Sequence, residues 1–393
     1  MKKHFLNIFL IVFLTSARVY SQDSAANQIH HIAVFIPLYL DSVFDADNHY
    51  LYEGESFPKF TSSGLEFYEG AQLALDTLQS QNAQLDVHIY DTRAKHTSVS
   101  QVLQDKDFEN TELIIGYVNP NESRILANAA LQRHIPFINI NLPNSSGITA
   151  NPDLVLLNST VKTHCEAIYK FLQRNYATTP ITYFYNKNAM SNDLKNYFIG
   201  VEKNTASVPL HLQYVLLNEP VGQKQLLTYL DSSRQNVFIA GSLNENFSRN
   251  LCAQLASAGK EYSVTIFGMP TWDNIDFTPP EYNGLEIFYS TPFYSNPKDT
   301  LVKYIQQYFK TKFYSRPSDM VFRGYETIYR WSKLLIQYGS DLEKHISEKK
   351  YNVFNDFDIE PVYLNKQAAT LDYFENKKLH FIKKTGGNIS AVY

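Results

Sequence analysis

Cysteine is scarce in this chain, with only Cys165 and Cys252 among 393 residues. That excludes a disulfide-stapled scaffold, a CxxC redox pair and a cysteine-rich metal centre. Both cysteines fall in segments with helical patterns. They read either as one disulfide, which an oxidising compartment permits, or as two buried free thiols. Charge of one sign is also lacking. Lys and Arg number 35 against 39 Asp and Glu, a net charge of −4. With neither sign dominating a long segment, the sequence argues against a nucleic-acid partner and against an electrostatic membrane contact. Enzyme signatures are missing as well: there is no GxSxG elbow, no HExxH and no phosphate-cradling GxxxxGK. No catalytic residue and no cofactor is expected. The pair His30-His31 has no further ligands at metal-binding spacing and reads as solvated, so no metal is expected either.

Long apolar runs are confined to the first residues. Residues 5–14, FLNIFLIVFL, follow the basic stretch MKKH. Ten apolar residues are too few for a bilayer, which needs about 20, but they suit the core of a signal peptide. Val19 and Ser21 satisfy the small-residue rule for cleavage. The sequence therefore predicts a signal peptide at 1–21, a mature chain from Gln22 and a periplasmic location. No cysteine lies near the cut, so no lipid anchor is expected.

The remaining length is more than one ordinary core holds and predicts two domains. Apolar strand-like runs alternate with helical patterns throughout. Residues 31–40 (HIAVFIPLYL) read as a buried strand. They are followed by a long loop at 41–63 and a helix at 64–80 with Leu65, Tyr68, Ala71, Leu75 and Leu78 on one face. Strands at 85–90, 113–118, 135–140 and 154–157 continue the series, with helices at 98–106 and 122–132. A second series has strands at 181–185, 212–217, 237–240 and 263–267 and helices at 164–175, 192–203, 223–232 and 244–259. This order predicts parallel sheets flanked by helices and joined by right-handed crossovers. A strand at 285–289, helices at 297–312 and 318–338, and a short antiparallel ending with a hairpin turn at Asn376-Lys377 complete the chain. Gly324 interrupts the last helix at a cost of about 1 kcal/mol relative to Ala, which predicts a close helix contact there.

Three stretches resemble the type I periplasmic binding proteins of the branched-chain amino acid receptor kind. The strand HIAVFIPL leads through a loop to GLEFYEGAQLALD. The segment ELIIGYVNPNESRILANAALQRHIPFINI matches a strand ending in Gly, a ligand loop, a helix and an Ile-Pro strand. FYSRPSDMVFRGYETIYRWSKLL matches a late helix. The segments GLEFYEGA and YLDS also look like a subgroup common in exported proteins of Bacteroidetes-type bacteria. The resemblance implies two Rossmann-like lobes joined by a three-segment hinge crossing near Ser159, Gly284 and Gly339. One lobe is then 22–158 plus 285–338, and the other 159–284 plus 339–393.

The resemblance also implies a ligand cleft where strand ends of the two lobes face each other. On that reading Tyr117, Asn119, Ser123, Asn139 and Asn141 come from one lobe, and Asn188, Asn244 and Trp272 from the other. Mostly amide and aromatic, they suit a polar neutral or zwitterionic small molecule. The departure from a clean Gly-Pro-x-x-Ser at 116–120 speaks against an ordinary α-amino acid. Asn119 and Asn121 also read simply as turn formers, and a Trp beside an Asp often packs under a loop. The implied function is a solute-binding protein that closes on a small, amino-acid-like ligand for ABC-type transport, its partner a membrane permease. The alternative is a ligand-free interaction protein of the same fold regulating cell-envelope (peptidoglycan) synthesis through another envelope protein.

Overall fold

A computed structural model describes residues 28–54, 57–259, 261–365, 367 and 369–392. The expected signal peptide at 1–21 lies outside the described residues. Among them no helix is long and apolar enough to cross a membrane.

The chain opens with β1 (His30–Ile36), buried at every position from 32 to 36. A strand covered by helices on both faces needs apolar side chains throughout, which is why this segment is a continuous run and not an alternation. Helix α1 (Ser62–Ser80) leads to β2 (Leu85–Asp91), and β3 (Leu113–Gly116) is followed by α2 (Pro120–Arg133). Strands β4 (Phe137–Asn139) and β5 (Leu154–Leu156) extend the sheet in the parallel order β2-β1-β3-β4-β5. Residues 98–106, expected as one helix, form two short ones, Val99–Val102 and Lys106–Glu109, because Asp105 caps the second.

The same order then repeats. Helix α3 (Val161–Asn175), β6 (Ile181–Tyr185), α4 (Ala189–Asn204), β7 (Gln213–Leu216), α5 (Gln223–Leu227), β8 (Asn236–Ala240), α6 (Glu245–Ala258), β9 (Val264–Phe267) and β10 (Leu285–Thr291) follow one another. Their sheet runs β7-β6-β8-β9-β10, again parallel. The last third comprises α7 (Thr300–Lys312), α8 (Asp319–Tyr338), β11 (Ile359–Val362), β12 (Tyr373–Asn376), β13 (His380–Thr385) and β14 (Asn388–Val392). Strands β11 and β12 complete the first sheet, and β13 and β14 the second, making two seven-stranded sheets. The fold is two-lobed α/β, with helices on both faces of each sheet.

The distribution of the last third corrects the expected lobe limits. Strand β10, placed with the first lobe at 285–338, hydrogen-bonds to β9 and β13 in the second sheet. Helices α7 and α8 do join the first lobe, through Val302, Ile305, Phe309, Ile328, Trp331 and Leu335. Residues 339–376, placed in the second lobe, stay with the first: Leu342, Ile346 and Phe357 belong to its core, and β12 pairs with β5. The chain therefore changes lobe near Ser159, after Thr291 and after Asn376. The expected hairpin at Asn376-Lys377 is the third of these crossings. A strand–turn–strand pattern looks the same in sequence whether the two strands pair or part.

The crossings are tied together. Ser159 Oγ donates to the Asn376 carbonyl at 2.6 Å, and Thr160 N and Thr163 Oγ1 donate to Glu375 Oε1 at 2.8 and 2.6 Å. Lys377 Nζ donates to Glu375 Oε2 at 2.6 Å. In the second crossing Tyr294 N donates to Asn355 Oδ1 at 2.8 Å, and the Tyr294 ring lies 5.9 Å from that of His380.

Helices α1 and α8 pack with their backbones in near contact. A Cβ at position 324 would stand 2.2 Å from the Phe67 carbonyl oxygen, and one at position 70 would stand 1.9 Å from that of Val321. The close approach expected at Gly324 is present and is met by a second glycine. Other expectations change. His30 is buried beside Glu112, with Nδ1 3.1 Å from Oε2, and His31 Nδ1 is 3.0 Å from Asp86 Oδ2, so the pair is not simply solvated. Cys165 and Cys252 are buried free thiols in different apolar clusters, and burial pushes both thiols well above their usual range.

Candidate functional site

Open α/β sheets offer a ligand position at the carboxyl ends of the strands, where the strand order reverses. Here that is beside β1 and β3 in one lobe and beside β6 and β8 in the other. In the first lobe this mouth is internally bonded. Asp91, at the end of β2, accepts N–H groups from Leu38, Tyr39, Leu40 and Arg93 at 2.8–3.1 Å, which fixes the turn after β1. Arg93 forms a short ion pair with Glu122 and lies 5.9 Å from the Tyr39 ring. Burial alone would lower the Arg93 pKa; the pairing with Glu122 outweighs it and raises it.

The residues expected from this lobe are brought together, but around one another. Asn119 is the N-cap of α2: its Oδ1 accepts from Asn121 N and Glu122 N, both at 2.9 Å, while Asn119 N donates to Glu122 Oε2 at 2.8 Å. This capping box engages the helix-start donors that a bound carboxylate would need. Asn139 is fully buried; its Nδ2 donates to Ser123 Oγ at 3.0 Å and its Oδ1 accepts from Leu142 N at 3.0 Å. Asn141 exchanges hydrogen bonds with the Val118 backbone at 2.9 and 3.0 Å. Tyr117 packs against the first-lobe core, 6.3 Å from Phe67. Asn119→Ala is therefore expected to cost about 1 kcal/mol of stability. A thermal melt checks this, and ligand affinity should stay unchanged.

The second lobe shows the same pattern. Asn188 caps α4 by accepting from Ser191 N at 2.8 Å, and its Nδ2 donates to Asn186 Oδ1 at 3.1 Å. Asn244 caps α6 by accepting from Phe247 N at 3.0 Å. Trp272 is the clearest correction. It is 0% exposed, its ring lies where a Cβ on Gly268 would be, and it packs 5.2 Å from Phe277. It is a core residue under the loop after β9 and presents no face to a ligand. The signal for all three was position after a strand, but that position also demands helix caps and loop supports.

The space shared by both lobes lies beside the second crossing. A cavity of about 240 Å³ is lined from the second lobe by Asp273, Tyr289, Thr291, Ile382 and Ile389, and from the first by Asp319, Phe322, Arg323 and Asn355, with Phe293 to Ser295 between. At roughly 30 Å³ per water in the liquid, it suits a ligand of on the order of ten heavy atoms. None of the eight residues expected from sequence lines it. Arg323 donates to Asp319 at 2.5 Å, and its guanidinium sits 3.9 Å from the Phe293 ring centre. Its Nε is buried without a partner among the described residues. On the opposite wall burial raises the Asp273 carboxyl above its ordinary range, against the opposing pull of a hydrogen bond from Tyr289. Lys384 lies 5.0 Å from the Tyr289 ring, and its own pKa is lowered by burial. The cavity thus has a guanidinium, paired with Asp319, on one lobe and the Asp273 carboxyl on the other. Sequence offers little signal for it, because an i,i+4 acid–base pair such as Asp319 and Arg323 is common on helix surfaces.

No family model and no curated protein matches the chain by sequence. Solved structures do match its fold. An ABC transporter substrate-binding protein from Desulfitobacterium hafniense in complex with Leu shares 12% identity at a TM-score of 0.58, covering 93% of this chain and all of that one. A structure from Rhodospirillum rubrum described as a branched-chain amino acid ABC transporter shares 12% at a TM-score of 0.69, with the same coverage. Full-length LpoA from Haemophilus influenzae shares 12% at a TM-score of 0.56, over 93% of this chain and 59% of that chain.

Proposed function

We propose, from the type I periplasmic binding protein fold that this chain adopts, that it is an exported solute-binding protein. It closes two lobes around a small, polar, amino-acid-like ligand for an ABC-type permease. The observation that carries this reading is the cavity lined by both lobes. Arg323 offers its guanidinium, which also pairs with Asp319, to a ligand anion from one side, and Asp273 offers a carboxyl to a ligand cation from the other. A ligand touching both walls binds the closed state better than the open one, and only that difference drives closure. The self-capped start of α2 supports a carboxylate position at Arg323 in place of the helix terminus.

A thermal-shift screen of zwitterionic and polar small molecules, followed by calorimetry, tests this. Arg323→Gln should weaken a hit on the order of 10- to 100-fold, the cost of a lost charge-assisted hydrogen bond. Asp273→Asn should act similarly on ligands carrying an ammonium. A hit that both variants bind with wild-type affinity would remove the cavity from consideration. The internally bonded mouths of both lobes favour a second reading, a ligand-free protein that acts by contacting an envelope partner. Native mass spectrometry of protein from its own cells separates the two: a retained small molecule supports the first, and a ligand-free species with a co-purifying envelope protein supports the second.

A further inference from the structure

The near-neutral charge of the whole chain conceals a local cationic face. From residue 300 to 318 the sequence holds Lys303, Lys310, Lys312 and Arg316 and no carboxylate. Helix α7 buries Val302, Ile305 and Phe309 against the first-lobe core. Three- and four-residue steps then place Lys303, Gln306, Gln307 and Lys310 together on the outer face. The loop after α7 folds alongside, so that Lys303, Lys310, Tyr314 and Arg316 line one open groove of about 1020 Å³. None of the four cations forms an ion pair among the described residues. Beside them stand large side chains that the fold leaves in solvent: Tyr304 is 60%, Phe313 43% and Tyr314 92% exposed.

Cations without counter-charges, beside exposed aromatic rings, match the chemistry of a bilayer surface. Lys and Arg meet the phosphates there, while Tyr and Phe rings settle at the headgroup level. An acidic protein surface would satisfy the cations but would leave Tyr314 projecting with nothing apolar to enter. We propose that the α7 face docks the protein reversibly on an anionic phospholipid bilayer, with a lipid phosphate seated between Lys303, Lys310 and Arg316. The groove and the inter-lobe cavity share no lining residue.

The test is sedimentation with phosphatidylglycerol–phosphatidylcholine vesicles against phosphatidylcholine alone. Binding is expected only to the anionic vesicles and should fall as salt rises. At about fivefold per cation removed, the triple variant K303Q/K310Q/R316Q should lose on the order of 100-fold in partition coefficient. Phe313→Ser with Tyr314→Ser should weaken binding while leaving the salt dependence unchanged. The three cations and Tyr314 are exposed, so a melting curve matching wild type is expected for the triple variant and for Tyr314→Ser alone, whereas Phe313 packs 5.0 Å from Phe309 and its replacement is read beside a melt; should the triple variant unfold, Arg316→Gln alone reads the same loss at about fivefold. Equal binding to both vesicle types, undiminished binding by the triple variant, or saturable binding of inorganic phosphate with no vesicle binding would each overturn the proposal. Asp273→Asn should bind vesicles normally, which keeps this result separate from that of the ligand cavity.

Discussion

Gly324→Ala is expected to destabilise the protein by about 2–3 kcal/mol, because overpacking a fitted contact costs that much. The added carbon would stand 2.2 Å from the Phe67 carbonyl oxygen, which belongs to the backbone of α1 and cannot rotate away. Only separation of the two helices relieves the collision, and that loosens Phe67, Ala71, Val321 and Tyr325 in the core between them. The structure makes Gly324→Leu at least as costly, and Gly70→Ala equally so, since a Cβ there would meet the Val321 carbonyl oxygen. A fall of several degrees in melting temperature, measured by calorimetry on all three variants, is the expected result. A wild-type melt for Gly324→Ala would show that the helices do not approach this closely.

Glu326→Ala should be at least as damaging. Glu326 is buried on α8, and its Oε1 accepts from Val353 N, Phe354 N and Asn355 N at 3.3, 2.9 and 2.7 Å, while its Oε2 accepts from Asn355 Nδ2 at 2.6 Å. Removing the carboxyl strands four buried donors, an expected loss of more than about 3 kcal/mol. Asn355 also holds Tyr294 N in the second crossing, so the variant should loosen the hinge as well as the fold. A pH dependence follows. Burial pushes the Glu326 carboxyl up from 4.5 to about 7, outweighing the four donors that favour its ionised form. A group whose pKa is raised by folding contributes stability that is full below its unfolded pKa and is lost as pH rises through its folded pKa. Wild-type melting temperature should therefore decline between about pH 4.5 and 7 through this group. In Glu326→Gln, destabilised by one mismatched donor, that part of the decline should be absent. Parallel melting curves for the two across this range would refute the assignment.

Individual residues show how far the sequence reached into the site. Asn119, Asn188 and Asn244 were read as following strands, and in the structure each is the N-cap of the next helix. They turned out to be caps because a helix start needs its donors satisfied before any ligand arrives. Trp272 carried an aromatic face suited to stacking, yet only the packing of residues 268–277 shows that the ring is enclosed. Arg323 and Asp273, which wall the shared cavity, are separated by fifty residues and by a change of lobe, and nothing in their local patterns joins them.

The sequence by itself determined the element types and their order. Short apolar runs between turn signals suit strands covered on both faces, three- and four-residue spacings suit one-sided helices, and their alternation points to parallel sheets. Tertiary structure alone decided which sheet each late element joins. Strand β10 enters the second sheet, α8 covers the first, and β12 and β13, three residues apart, go to different lobes. The physical reason is range. Helix and strand periodicity is a property of a few neighbouring residues, whereas sheet membership and the cavity depend on hydrogen bonds and burial between segments far apart in the chain, such as Val155 with Phe374 and Tyr289 with Ile382.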